Sequence, residues 1–157
     1  MEEKKLEIRY REFDSREELE EKDRQLLDAA ENALAGSYAP YSNFNVGAAV
    51  RLGNDIIVKG ANQENSAFPS GLCAERTAMF SAASRYPGEE ILALALVASQ
   101  NGKLQPSPTY PCGACRQVMA QYQTRSGKPM RIIIGSADKV QVFDGVESIL
   151  PFMFNDI

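Results

Sequence analysis

Three cysteines and no histidine set the tightest limit on this 157-residue chain. All three cysteines lie in two short segments, Cys73-Ala74-Glu75-Arg76 and Pro111-Cys112-Gly113-Ala114-Cys115. A fold that brings these segments together offers one three-thiolate site, and zinc is the ion such a site suits. Zinc in a catalytic site takes three protein ligands and keeps a fourth position open, whereas a closed structural site needs a fourth ligand, which no further Cys or His supplies here. Glu75, two residues past the first cysteine, is placed to move protons beside that open position. Two plainer readings stand beside this one: a redox pair at Cys112 and Cys115, or a structural zinc whose fourth ligand is a carboxylate.

The spacing gives a physical reason for these residue types. Cys112 and Cys115 are three apart, so in the first turn of a helix their side chains share a face. Cys73 also opens a predicted helix, and helix N-termini favour thiolate over thiol. Three thiolates on a divalent ion leave a net negative centre. A nearby cation would offset it, and Arg76 is the candidate.

Elsewhere the chain reads as alternating helices and strands. The capping-box pattern Ser15 to Glu18, followed by Leu19, Leu26, Leu27, Ala30 and Leu34 at helical spacing, predicts one helix that Gly36 stops. Residues 46–52 and 56–61 predict a hairpin turning at Gly53-Asn54-Asp55. Helices are expected over 73–86 and 112–123, strands over 91–98, 131–135 and 140–143, and a final helical turn over 146–150. The continuously apolar run 91–98 fits a strand covered on both faces. The domain organisation expected is a charged N-terminal arm over residues 1–14, either a short strand or a solvated arm, and a single domain over 15–157. The arm receives no function.

Composition excludes more than it identifies. A pI near 5.0, a net charge of −4 and no basic patch argue against a nucleic-acid partner. The longest apolar run is far too short to span a bilayer and no signal segment opens the chain, so no membrane partner is expected and a cytoplasmic location is. An odd cysteine count disfavours a disulfide framework, and thiolates that bind metal suit a reducing compartment.

The order Cys-x-Glu followed by Pro-Cys-x-x-Cys is the signature of the zinc deaminases. Between about residues 26 and 154 the chain closely resembles the small homotetrameric cytidine deaminases. The likeness is carried by Tyr38-Ala39-Pro40-Tyr41-Ser42-Asn43-Phe44, Val46-Gly47-Ala48-Ala49, Asn62-Gln63-Glu64-Asn65, the two cysteine segments and Leu150-Pro151-Phe152-Met153-Phe154. That resemblance implies a three-layer α/β/α fold with a mixed sheet of about five strands. It implies a homotetramer with one zinc per chain on Cys73, Cys112 and Cys115, and deamination of cytidine and 2′-deoxycytidine in pyrimidine salvage. By the same resemblance Glu75 is the catalytic proton carrier, Arg76 donates to a ligand sulfur and the Ala74 backbone meets the pyrimidine edge. Phe44 faces the pyrimidine, Asn62 and a buried Glu64 hold ribose hydroxyls, and Phe154 reaches the site of a neighbouring subunit.

Each assignment has a plainer counterpart. Arg76 could pair with a surface carboxylate, Asn62 and Glu64 could shape a loop, and Phe44 and Phe154 could pack in the core of their own chain. At the level of function the alternatives are a deaminase for a related nucleoside such as a nucleoside antibiotic, or a non-catalytic zinc module. Phe68-Pro69, where the family pattern has a tyrosine and a less constrained residue, and Gly71-Leu72 before the first cysteine depart from it. A locally reshaped approach to the site is expected there.

Overall fold

The computed structural model describes residues 1–156. Its centre is β2 (Phe44–Leu52), paired antiparallel on one side with β3 (Ile57–Ala61) and on the other with β4 (Ile91–Gln100). The predicted hairpin forms, and Asp55 takes a positive φ of 66° in its turn. β4 pairs in parallel with β6 (Arg131–Gly135), and β6 pairs antiparallel with β7 (Val140–Asp144).

Two further strands raise the count to seven rather than about five. β1 (Arg11–Phe13) adds to β7, and β5 (Lys103–Leu104) folds back on β4, giving the order β1-β7-β6-β4-β2-β3 with β5 off the path. At three and two residues, both are too short to show a period-two pattern of their own.

The expected three layers are present. On one face α1 (Glu21–Ala33) lays Leu26, Leu27 and Ala30 against Ala49, Val97 and Ile133. On the other, α2 (Ala74–Arg85) and α3 (Gly113–Ser126) cover Leu94, Leu96, Ile132 and Ile134 with Ala78, Met79, Met119 and Ala120. β4 feeds alternate side chains into both cores, as its unbroken apolar run requires.

The single helix expected from Ser15 to Gly36 is broken. The capping box forms, but it opens only a 3₁₀ turn, Arg16–Glu18. Leu19 and Glu20 are extended, α1 follows, and a second 3₁₀ turn, Leu34–Gly36, ends the segment. The break lets Leu19 drop into the core beneath α1, where it is buried. It also leaves Arg16 able to reach back to Asp28 and Glu31 on α1, at 2.8 and 2.5 Å. The final helical turn is another 3₁₀ turn, Val146–Ser148.

Topology makes the two cysteine segments meet. β3 and β4 are both antiparallel to β2 and so run the same way, and β6 runs parallel to β4. α2 is the crossover from β3 to β4, and α3 lies in the crossover from β4 to β6. Both helices therefore begin at the same end of the sheet, beyond the carboxyl ends of the strands they follow. α2 also sits very close to β3. A Cβ on Gly60 would meet the Ala78 amide nitrogen and, at 2.7 Å, the Ala74 carbonyl. Among the described residues no helix is long and apolar enough to cross a membrane.

Candidate active site

Cys73 is the N-cap of α2 and Cys112 the N-cap of α3, with Cys115 in the first turn of α3. The three sulfurs lie within 4.8 Å of one another, and Cys73 and Cys112 are 3.8 Å apart. A tetrahedral zinc with sulfurs at about 2.3 Å places them ~3.8 Å apart, so the donor set fits that ion in kind and in spacing. Cys115 is buried, Cys73 half-buried and Cys112 exposed, which leaves the cluster reachable from one side.

The surrounding charges favour an ion. Arg76 Nη2 lies 3.5 Å from Cys73 Sγ, while Arg76 Nε is buried without a hydrogen-bond partner. A half-buried cation is steadied by nearby negative charge, and three thiolates around a divalent ion would supply it. Thiols alone share charge unevenly. Hydrogen bonding from Cys115, then from Arg76 and Cys112, pulls the Cys73 thiol down to about 5. Cys115 is pushed up, first because its thiol donates a hydrogen bond to the Cys73 sulfur, which favours the protonated form, and then by burial. The Cys73 sulfur in turn raises Arg76 further above its usual value.

Glu75 is 4% exposed and is raised above the ordinary carboxylate range, chiefly by burial and further by the neighbouring Cys73. A carboxyl group held in that environment keeps its proton more readily than an exposed one, which suits a group that both takes and gives protons. Ala74, between ligand and carboxyl, is fully buried.

Beside the cluster lies a cavity of about 700 Å³, with Ser42, Asn62, Glu64, Phe68, Cys73 and Arg76 in its wall. Asn62 is tied to Ser37 and to the first residues of β2. Its Oδ1 accepts from Ser37 Oγ at 2.5 Å and from the Val46 amide at 2.8 Å, and its Nδ2 donates to the Phe44 carbonyl at 2.9 Å. One Nδ2 hydrogen has no partner in these bonds. Glu64 accepts from the Tyr41 amide at 2.8 Å, from the Ser42 amide and from the Ser42 hydroxyl, and the hydroxyl is the main reason its carboxyl lies below the usual range. It is half-buried, not buried as expected from the sequence, because this loop covers only one side of it.

Phe44 is half-buried at the start of β2, and neither it nor Phe154 belongs to the cavity wall. Phe154 is 60% exposed, with its carbonyl accepting from Gln117 Nε2 at 2.7 Å. The departures from the family pattern at 68–72 lie in the segment that leads to Cys73. Phe68–Ser70 is a 3₁₀ turn that leaves the Phe68 ring 90% exposed, and Leu72 exchanges two backbone hydrogen bonds with Gln63.

Sequence reasoning missed Ser42 as a partner of Glu64, although it lies inside the loop motif 38–44. It also missed Arg116, whose Nε donates to the Pro111 carbonyl at 2.8 Å and whose Nη1 donates to the Ile149 carbonyl at 2.5 Å. The signal for Arg116 was its position directly after the last cysteine.

Residues 20–128 match the family described as "Cytidine and deoxycytidylate deaminase zinc-binding region". A cytidine deaminase of Halalkalibacterium halodurans is 45% identical over 100 residues, which is 63% of this chain and 71% of that one. A probable cytidine deaminase of Dictyostelium discoideum is 32% identical over 141 residues, covering 90% of this chain and 86% of that one. Among solved structures, the cytidine deaminase of Burkholderia pseudomallei superposes with a TM-score of 0.69 at 36% identity, covering 83% of this chain and 97% of that one.

Proposed function

The chain is an enzyme of the cytidine and deoxycytidylate deaminase family, and from that premise we propose that it hydrolyses the 4-amino group of cytidine and 2′-deoxycytidine. The products are uridine and 2′-deoxyuridine with ammonia, a reaction that serves pyrimidine salvage. The observation that carries this reading is the buried Glu75 carboxyl one residue from Ala74 and two from Cys73, beside three convergent sulfurs.

In this reading Cys73, Cys112 and Cys115 hold one zinc per chain. That ion supplies Lewis acidity, which makes water acidic enough to act as a nucleophile near neutral pH. Glu75 takes a proton from the attacking water and passes it to N3 of the pyrimidine, which makes C4 electrophilic. The water oxygen adds to C4. The remaining hydroxyl proton then moves through Glu75 to the exocyclic nitrogen, the C4–N bond breaks, and ammonia leaves behind a C4 carbonyl. Arg76 offsets charge on Cys73, the Ala74 backbone meets the pyrimidine edge, and Phe44 lies towards the ring.

Glu64 accepts from the ribose 3′-hydroxyl, and the spare Nδ2 hydrogen of Asn62 reaches the same region. Among the described residues no cluster of arginines lines the cavity, and in this reading free nucleosides are the substrates while 5′-monophosphates and polynucleotides are poor ones. The exposed rings of Phe68, Phe152 and Phe154 support a homotetramer in which Phe154 completes a neighbour's site, since large apolar groups left open mark association surfaces. The reducing compartment that free thiolates need is, in this reading, the cytoplasm.

The test joins metal analysis with deamination of cytidine, deoxycytidine and cytidine 5′-monophosphate. About one zinc per chain and turnover of both nucleosides at a far higher kcat/KM than the monophosphate are expected. Equal kcat/KM on cytidine and its monophosphate would overturn the substrate assignment. For the assembly, zinc-sufficient Phe154→Ala and Glu75→Ala proteins are mixed under conditions that exchange subunits. Activity above that of Phe154→Ala alone is expected, and exchange without such a gain would remove Phe154 from the neighbour's site.

A further inference from the structure

Gln141 is an amide in a strand whose neighbouring residues Val140, Val142 and Phe143 are all buried, and it is itself only 6% exposed. A buried amide is costly unless both its oxygen and its nitrogen find partners. Here both do. Tyr110 Oη donates to Gln141 Oε1 at 2.7 Å, and Gln141 Nε2 donates to Glu12 Oε2 at 2.7 Å.

These two partners belong to distant parts of the chain. Glu12 sits in β1, directly opposite Gln141 in the register of β1 on β7. Alternation along β1 sends Phe13 to the core under α1 and puts Tyr10 and Glu12 on the face that carries α2 and α3. The Tyr10 ring stacks on Phe143 of that second core, 5.1 Å between centroids. Tyr110, at the other end, stands two residues before Cys112. Among the described residues the segment 106–110 makes one hydrogen bond, and it is the bond from Tyr110 to Gln141. Pro106, Pro108 and Pro111 lack the amide hydrogens that would otherwise tie this loop down.

We propose that Gln141 is a positioning residue for the metal centre. It couples the N-terminal strand to the loop that delivers Cys112, the exposed member of the thiolate cluster, so that Glu12 and Tyr110 help set how firmly the ion is held. Residues of the arm therefore take part in the function of the site without touching substrate or metal. This inference rests on the zinc reading given above.

The experiment loads the full-length protein with zinc and follows its release to an excess of a chromogenic chelator, alongside thermal unfolding of the same samples. Partners that orient metal ligands typically change metal affinity by about 10- to 100-fold. Tyr110→Phe, which removes a single oxygen, and Gln141→Leu are each expected to speed release by ~10-fold. Because both cut the same chain of bonds, the double variant is expected to release zinc no faster than the faster single one. Glu12→Gln keeps an acceptor for Gln141 and should release zinc at nearly the native rate, whereas Glu12→Ala should be fast. A purely structural role would lower the unfolding temperature without this pattern.

Native release rates in both Tyr110→Phe and Gln141→Leu would overturn the proposal, and so would effects that multiply in the double variant. Should Gln141→Leu fail to fold, Tyr110→Phe decides alone. A native protein that takes up no zinc would overturn the metal reading itself, and this inference with it.

Discussion

Helix α2 meets the sheet backbone to backbone, whereas the start of α3 is held by side chains. Under α2, Gly60 leaves no room for even a methyl group, and Ala74 and Glu75 behind it are buried. At the start of α3, Cys112, Gly113 and Ala114 are exposed, and a Cβ on Gly113 would find nothing within 4 Å. Arg116 and the chain through Tyr110 do the positioning there. The two thiolate-bearing helix starts thus divide the work. The one that carries Glu75 is fixed by contacts that leave no tolerance, and the other, in the proposed reading, meets the metal through polar ties that can loosen separately.

The largest expected effect tests the fixed side. Glu75→Gln should lower kcat by roughly 10²–10⁴-fold, the range for a lost general acid and base, while metal analysis shows zinc content unchanged. Loss of zinc with this variant would mean that α2 does not separate proton transfer from ligation.

Next in size is a paired substitution. Gly60→Ala drives a methyl group into the α2 backbone and should cost about 3 kcal/mol in urea unfolding, the upper end for overpacking. Gly113→Ala, in open space, should stay within about 0.5 kcal/mol of native. Equal costs for the two would erase the contrast between the helix starts.

A smaller loss is expected from Arg116→Met, which leaves the Pro111 and Ile149 carbonyls without their charged donor and should cost about 2 kcal/mol by urea unfolding. On the polar side of the comparison, this variant should release zinc faster than native. Unchanged release would mean that Arg116 supports the fold alone.

The smallest effect should appear where neither helix start is involved. Asp23 on α1 is buried 3.0 Å from Arg131, and burial raises its carboxyl above the ordinary range, with Arg131 opposing. A raised folded value means the native state holds this proton more tightly than the unfolded chain. Stability relative to Asp23→Asn should therefore fall as pH rises from about 3.9 through the folded value. Paired urea titrations across that range check the sign, and a rise instead would show that Arg131 outweighs burial.

Much of this was legible in the sequence because it is local. The hairpin turn, the capping box at Ser15 and Glu18, and both cysteine helix starts follow from neighbouring residues. What escaped depends on distant partners. Leu19 keeps the helical spacing of its neighbours, and only the core beneath α1 explains why the chain extends there instead. Gln141 looks like the outward position of an alternating strand. It is buried because β7 is covered on both faces, and its partners stand 31 and 129 residues away. The family resemblance implies a buried carboxylate at Glu64, and in the structure it is half-buried. Its actual partners come from a loop more than twenty residues earlier.

The short strand Arg11–Phe13 also bears on how the protein behaves at high concentration. The sheet has two outer rims, β1 and β3, and on the first the exposed Arg11 and Glu12 follow one another in a strand of three residues. Short, charged outer strands make poor templates for further pairing. Beneath it, β7 reads Val-Gln-Val-Phe-Asp, an apolar stretch of the kind that adds strands from other molecules when uncovered. Proteolytic trimming ahead of Asp14 would lay that row of amides and carbonyls open, and the trimmed protein is expected to self-associate and scatter light under conditions in which the full chain stays clear.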